Sequence, residues 1–292
     1  MRQFLLLSIL TSAVTTSHAA PPAKALAKLN ADEAAAYQIY LDEAHKQPLE
    51  LRTQPIFSWT NVLREDGQTG HIYVWMKDGR PEAVATFFSA FANWAKPPRR
   101  AIVHEFHTLA AKKLWPVGPK TSQYEWQPQA GLAFKTVPDA PEVADSPALR
   151  LVQMRDIARR FSGETLAMDQ QRWELRLLPQ PALRYQPTRK DVLDGALFLY
   201  VSSAGTDPEV IIPVEARRES DGPWKWQYGI ARFTDRELVV RHAGEVIWSS
   251  IENPNLKAAI ENDYTIIRNP ERTYTCYRSR LIDELPDTEP AP

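Results

Sequence analysis

The chain has 292 residues, 43% of them hydrophobic and 10% aromatic, enough apolar material for a sizeable globular core. Its 35 Lys and Arg face 36 Asp and Glu, a formal charge of −1, so there is no electrostatic case for nucleic acid or an anionic membrane as partner. The single cysteine, Cys276, excludes an intramolecular disulfide, and no apolar run reaches the roughly 20 residues of a transmembrane segment.

Met1-Arg2, the apolar run Phe4–Leu10 and the small-residue ending Ser17-His18-Ala19 read as a secretory signal peptide over residues 1–19. The expectation is an exported protein, periplasmic or extracellular. Ala20-Pro21-Pro22 is a stiff spacer. Asn30 with Glu33 three residues on looks like a capping box, predicting a helix from Ala31 to about Lys46 with Ala34, Tyr37, Leu41 and Ala44 on its apolar stripe.

Strands follow. Ile56–Trp59 is short; His71–Lys77 alternates His71, Tyr73 and Trp75 against Ile72, Val74 and Met76, so both faces are mostly apolar and both should be covered. Asp78-Gly79 is the strongest hairpin signal in the chain, with Glu82–Ser89 as the return strand and Arg100–Leu109 as a third. Pro116, Pro119, Pro128, Pro138 and Pro141 make the next thirty or so residues an arm that packs through Trp126, Leu132 and Phe134. Ser146-Pro147 opens the clearest helix, its stripe being Leu151, Met154, Ala158 and Phe161. A meander of tight turns then carries strands at Arg172–Leu177, Gly195–Val201, Val210–Ala216, Trp224–Ile230, and a short hairpin around His242-Ala243-Gly244.

The pattern predicts an α+β fold: a mostly antiparallel sheet of about eight strands that can split into two packed sheets, with one N-terminal helix and one helix joining two halves. The segments are the signal peptide (1–19), the helix with a three-stranded unit (20–115), the Pro-rich connecting arm (116–146), the second helix with its meander (147–284) and a Pro-rich acidic tail (285–292) expected to be disordered.

Several phrases occur together and in order: Asp78-Gly79-Arg80-Pro81-Glu82-Ala83-Val84, His104-Glu105-Phe106-His107, Leu177-Leu178-Pro179-Gln180-Pro181, Asp194-Gly195-Ala196-Leu197-Phe198 and Gly205-Thr206-Asp207-Pro208-Glu209-Val210. Over about Trp59 to Trp248 this set resembles a family of uncharacterised exported proteins of planctomycete bacteria. The resemblance implies a compartment and no activity.

The candidate chemistry is sparse. His104-Glu105-Phe106-His107 lacks the four-residue spacing that puts two imidazoles on one helical face, and on a strand His104 points with Phe106 while Glu105 points with His107. Glu105 and His107 are the candidates for acid–base catalysis or, with a third ligand from elsewhere, for metal binding. Asp194-Gly195 and Asp207-Pro208 read as turns. Glu174, Arg176, Arg184, Glu215 and Arg217 read as an ion-pair ladder across neighbouring strands. Trp224 and Trp226 on one strand face are the candidate stacking platform for a sugar or a partner. No cofactor is predicted. The expected function is a non-catalytic binding or interaction protein for a small molecule, a glycan or a protein; the alternative is an exported hydrolase, metal-assisted or not, using Glu105 and His107.

Overall fold

The structure is a computed structural model that describes residues 23–62, 67–92, 95–96, 99–119, 126–166, 172–203, 205–250 and 273–282. The signal peptide, the Ala20–Pro22 spacer and the acidic tail lie outside the described residues.

Helix α1 (Ala23–Ala35) is followed by β1 (Gln38–Tyr40), β2 (Glu50–Leu51), β3 (Phe57–Asn61), β4 (Gln68–Lys77), β5 (Arg80–Ala92) and β6 (Arg99–Thr108). The arm carries β7 (Trp115–Val117) and β8 (Lys135–Thr136). Helix α2 (Pro147–Ala158) leads into β9 (Phe161–Leu166), β10 (Arg172–Leu177), β11 (Leu183–Tyr185), β12 (Val192–Ser202) and β13 (Pro208–Arg217). Then come β14 (Lys225–Tyr228), β15 (Ala231–Arg232), β16 (Glu237–His242), β17 (Glu245–Ser249) and β18 (Tyr274–Ile282).

The class is α+β with antiparallel pairing throughout the described strands, as the tight turns imply. The arrangement is richer than about eight strands. A six-stranded sheet runs β18-β6-β5-β4-β2 with β3 also on β4. A ten-stranded sheet runs β17-β16-β9-β10-β12-β13-β14-β8 with β11 on β12 and β15 on β13, and β1 pairs with β7 in a separate ribbon. The additional strands are mostly two or three residues long, too short to show a period-two pattern. The first sheet is not built from the first half of the chain alone, because β18 returns from the far end to pair with β6, Tyr277 opposite His104.

The two large sheets face each other. Ile72, Val74, Val84, Phe88 and Val103 from one meet Leu197, Leu199, Ile211 and Ala231 from the other. Their outer faces are covered as well. Tyr73, Trp75, Ala85, Phe87 and Phe106 pack against Ala34 and Tyr37 at the end of α1 and against Trp126 of the arm. Phe198, Tyr200, Ile212, Val214 and Trp226 pack against Met154, Ile157 and Ala158 of α2. The layers are therefore α1 with the arm, the six-stranded sheet, the ten-stranded sheet and α2. This explains why β4 is mostly apolar on both sides: neither sheet surface meets water there.

The turns follow their residues. Asp78 and Gly79 have φ of +49° and +79°, the two left-handed positions of a type I′ hairpin. Ala243 and Gly244 repeat it at +49° and +92°. Ser146 Oγ accepts from Leu149 N at 3.2 Å with Pro147 at the first helical position, so α2 starts where the sequence places it. Phe161 does not belong to that helix; it opens β9.

The first helix differs more. It spans Ala23–Ala35 and ends near where the capping box would begin one. Asn30 is wholly buried, its Nδ2 donating to His71 Nδ1 at 2.9 Å, and Glu33 contacts His104 and Arg280. The two polar residues that resemble a cap are instead the points where α1 docks on the sheet. Sequence spacing alone cannot separate the two uses.

Candidate functional site

Strand alternation divides the His104–His107 segment as its sequence dictates. His104 faces α1. The Tyr37 hydroxyl lies 2.6 Å from His104 Nδ1 and also touches the Tyr277 hydroxyl. The Glu33 carboxylate, which can only accept, lies 3.0 Å from His104 Nε2, which assigns the ring proton to Nε2 and makes Tyr37 the donor to Nδ1. Arg280 donates to Glu33 Oε1 at 2.6 Å from the other side. Burial lowers the His104 pKa against the opposing pull of Glu33. For Glu33, burial acts to raise the pKa, and the hydrogen bonds from His104 and Arg280 outweigh it and hold the carboxyl low.

Glu105 and His107 face the other way, into the space between the sheets. Glu105 accepts from the Tyr274 hydroxyl at 2.5 Å. His107 is 3% exposed, its Nδ1–H donates to the Thr108 carbonyl at 2.6 Å, and burial, reinforced by the Arg232 charge, lowers its pKa to about 4. The imidazole is thus neutral at pH 7. The Arg232 guanidinium lies 5.1 Å from the Tyr274 ring centroid and donates to the carbonyls of Thr234 and Arg236. Cys276 stands opposite Glu105 on β18. Tyr274 and Arg232 complete this group and carry no motif in the sequence, because they come from strands far along the chain.

A second polar group joins the two sheets through Arg80. From the start of β5, Arg80 Nε donates to Glu215 Oε1 on β13 at 2.9 Å, Nη1 to Glu82 Oε2 at 2.7 Å and Nη2 to the Leu109 carbonyl at 2.9 Å. Glu215, 0% exposed, also accepts from the Tyr185 hydroxyl at 2.5 Å and from Arg217 Nη1 at 2.6 Å. Glu82 has a second cation in Arg189, which also pairs with Asp191. The Phe134 ring of the arm lies 5.3 Å from the Arg80 guanidinium and 4.4 Å from that of Arg217. Burial acts to raise both glutamates. At Glu215 the charges of Arg80 and Arg217 and the Tyr185 bond outweigh it and hold the carboxyl low, whereas at Glu82 burial prevails and the pKa is raised.

The sequence-based candidates therefore scatter. Glu215 with Arg217 belongs to the Arg80 group, Glu105 with His107 to the Tyr274 group, and Asp207 to a third place, where it accepts from Asn61 Nδ2 at 2.9 Å. Of the expected ladder, Glu215 and Arg217 do pair, but Arg184 pairs with Asp194 at 2.8 Å and Arg176 donates to the Gly205 carbonyl. Asp194-Gly195 is not a turn. Both residues lie inside β12, where wholly buried Asp194 accepts from Arg150 and Arg184. A Cβ on Gly195 would sit 2.5 Å from the Tyr185 ring, so the glycine is there for close approach. Trp224 and Trp226 do not form a shared platform: Trp226 is 1% exposed in the core beneath α2, so half-buried Trp224, with the Arg218 guanidinium 4.4 Å from its ring, has no second exposed indole of the pair beside it.

Arg80 is the residue that sequence reading missed. The available signal was two charges, Arg80 and Glu82, opening a strand that is otherwise nearly all apolar on both faces. Charges in such a setting must find partners across the core. Among the described residues, no three of His, Cys, Asp and Glu gather closely enough to hold a metal ion, and no helix is long and apolar enough to cross a membrane. No family model, no curated protein and no solved structure matches the chain.

Proposed function

We propose that this is an exported, non-catalytic binding or interaction protein. One observation carries the reading: the groups that look catalytic are buried inside the sandwich and bonded to neighbouring protein groups there. Glu215 is held by Arg80, Arg217 and Tyr185, Glu105 accepts from Tyr274, and His107 is buried and neutral. A general acid or base must come within hydrogen-bond reach of a substrate proton, and these side chains sit between two packed sheets. Export rests on the leader and on the resemblance described above.

A hydrolase using Glu105 and His107 is the second reading, favoured by their shared face and by Arg232 and Tyr274 beside them. The test is turnover. Purified protein incubated with chromogenic esters, glycosides and phosphates, with and without added divalent metals or EDTA, should give no more product than a Glu105→Gln/His107→Gln variant. Its melting temperature should be the same under every metal and chelator condition. Turnover that the double variant abolishes, or a melting temperature that EDTA lowers, would overturn the binding reading in favour of the hydrolase.

A further inference from the structure

The β1/β7 ribbon packs one face on the core and turns the other outward. Ile39 is wholly buried, so strand alternation sends Gln38 and Tyr40 to the opposite face. The register sets Tyr40 directly opposite Trp115 and Gln38 opposite Val117. Residues so paired share a face, with Cβ atoms about 5 Å apart. The ribbon thus presents two adjacent aromatic side chains, both half-buried.

Their surroundings are polar and close to neutral. The Tyr40 hydroxyl donates to Gln38 Oε1 at 2.6 Å. Lys113 Nζ lies 3.8 Å from the Trp115 ring centroid and reaches Gln129 Oε1 at 3.5 Å. Both carboxylate oxygens of Asp42 accept backbone N–H groups, from Lys46 at 3.1 Å and Gln47 at 2.7 Å, so that charge is engaged in its own turn. The same turn holds His45 at φ +56°, a left-handed conformation that strains a non-glycine residue, and lays its ring on Tyr40 with centroids 4.4 Å apart and planes 15° apart.

We propose that this face is a saccharide-binding platform on which neutral sugar rings stack against Tyr40 and Trp115, on the ring faces opposite His45 and Lys113, while Gln38 and Gln129 bond the hydroxyls. Aromatic side chains with polar tips suit a ligand that is apolar on its flat faces and polar at its edge. Gln38 and Gln129 are neutral amides that both donate and accept, as sugar hydroxyls do. A protein partner fits less well: Val117, 43% exposed, is the one large exposed hydrophobic on the ribbon, far short of the apolar core of a stable interface. This proposal rests on the binding reading above and names its ligand class.

The test is affinity electrophoresis of the full chain in native gels containing soluble neutral polysaccharides: a mixed-linkage β-glucan, a xylan and a galactomannan. At least one should retard the wild type. Trp115→Ala and Tyr40→Leu should each weaken that retardation about ten-fold in apparent dissociation constant, the loss expected from removing one well-stacked ring. Tyr40→Leu keeps apolar bulk on the ribbon, and unchanged melting temperatures would show that both variants fold. Trp224→Ala should run as wild type. A wild type that no gel retards would overturn the proposal, as would variants retarded as strongly as the wild type. The latter result would remove the platform and leave a binding protein; release of reducing ends from the polysaccharide would instead count against the non-catalytic reading.

Discussion

Arg80→Met is expected to lower the free energy of unfolding by about 3–5 kcal/mol, because it leaves two carboxylates buried without the cation between them. Methionine keeps much of the unbranched apolar stem, so the loss is electrostatic rather than a cavity. Glu215 would keep Arg217 and Tyr185, and Glu82 would keep Arg189, but the bonds from Nε and Nη1 would vanish together, and the Leu109 carbonyl would lose its Nη2 donor. The measurement is the urea midpoint at pH 7, with the slope of the transition as a check that the folded state stays compact. Glu215→Gln in the Arg80→Met background should recover part of the loss, since a neutral amide needs no counter-charge. A coupling energy above about 1.5 kcal/mol between the two positions is expected, as for groups in one network. Additive single effects would mean that the inter-sheet ion pair contributes little.

Acidification should weaken the fold in a window set by histidine before the carboxylates take over. His107 has a folded pKa of about 4, against an ordinary value near 6.5, so the unfolded chain binds a proton between those values that the folded chain does not. Its stabilising contribution is complete above pH 6.5 and is lost progressively down to pH 4, about 3 kcal/mol in all. His104 and His71, both lowered by burial, act in the same direction. Glu215, Glu33 and Asp194, held low by their arginine and histidine partners against burial, withdraw stability at still lower pH. Glu82, which burial raises, works the opposite way and softens the fall. Urea midpoints from pH 7.5 to 4 read the whole effect. His107→Gln should lose stability at pH 7 and show a flatter slope between pH 6.5 and 4. A variant whose slope equals that of the wild type would mean that His107 meets water.

The parts of the fold visible in the sequence are those with a local cause. The Asp78-Gly79 hairpin, the Ser146-Pro147 helix start and the two apolar faces of β4 each follow from residues within a few positions of one another. What was hidden depends on distant partners. Asn30 and Glu33 imitate a cap because capping residues and helix-docking residues are the same polar types, and only His71 and His104 decide between them. Asp194-Gly195 imitates a turn because its true constraints, Arg150 and the Tyr185 ring, arrive from other elements. For the polar interior, alternation placed Glu105 with His107 and kept His104 apart. The partners Arg80, Tyr185, Arg232 and Tyr274 were not legible, since a strand pattern records which face a residue takes and not what stands across from it. Tyr40 lay in a segment read as helix and Trp115 at the boundary of the arm, so their pairing appears only with the β1/β7 register.

Carbethoxylation of the folded protein at pH 7, followed residue by residue with peptide mass spectrometry, asks most directly whether the acid–base groups are sealed inside. Exposed His45 should react freely with diethylpyrocarbonate, while His104 and His107, 0% and 3% exposed, should be modified at least about 100-fold more slowly, only as the sheets open. Modification of His107 at the rate of His45 would mean that small molecules pass between the sheets, and would contradict the account of Glu105 and His107 as part of a closed interior.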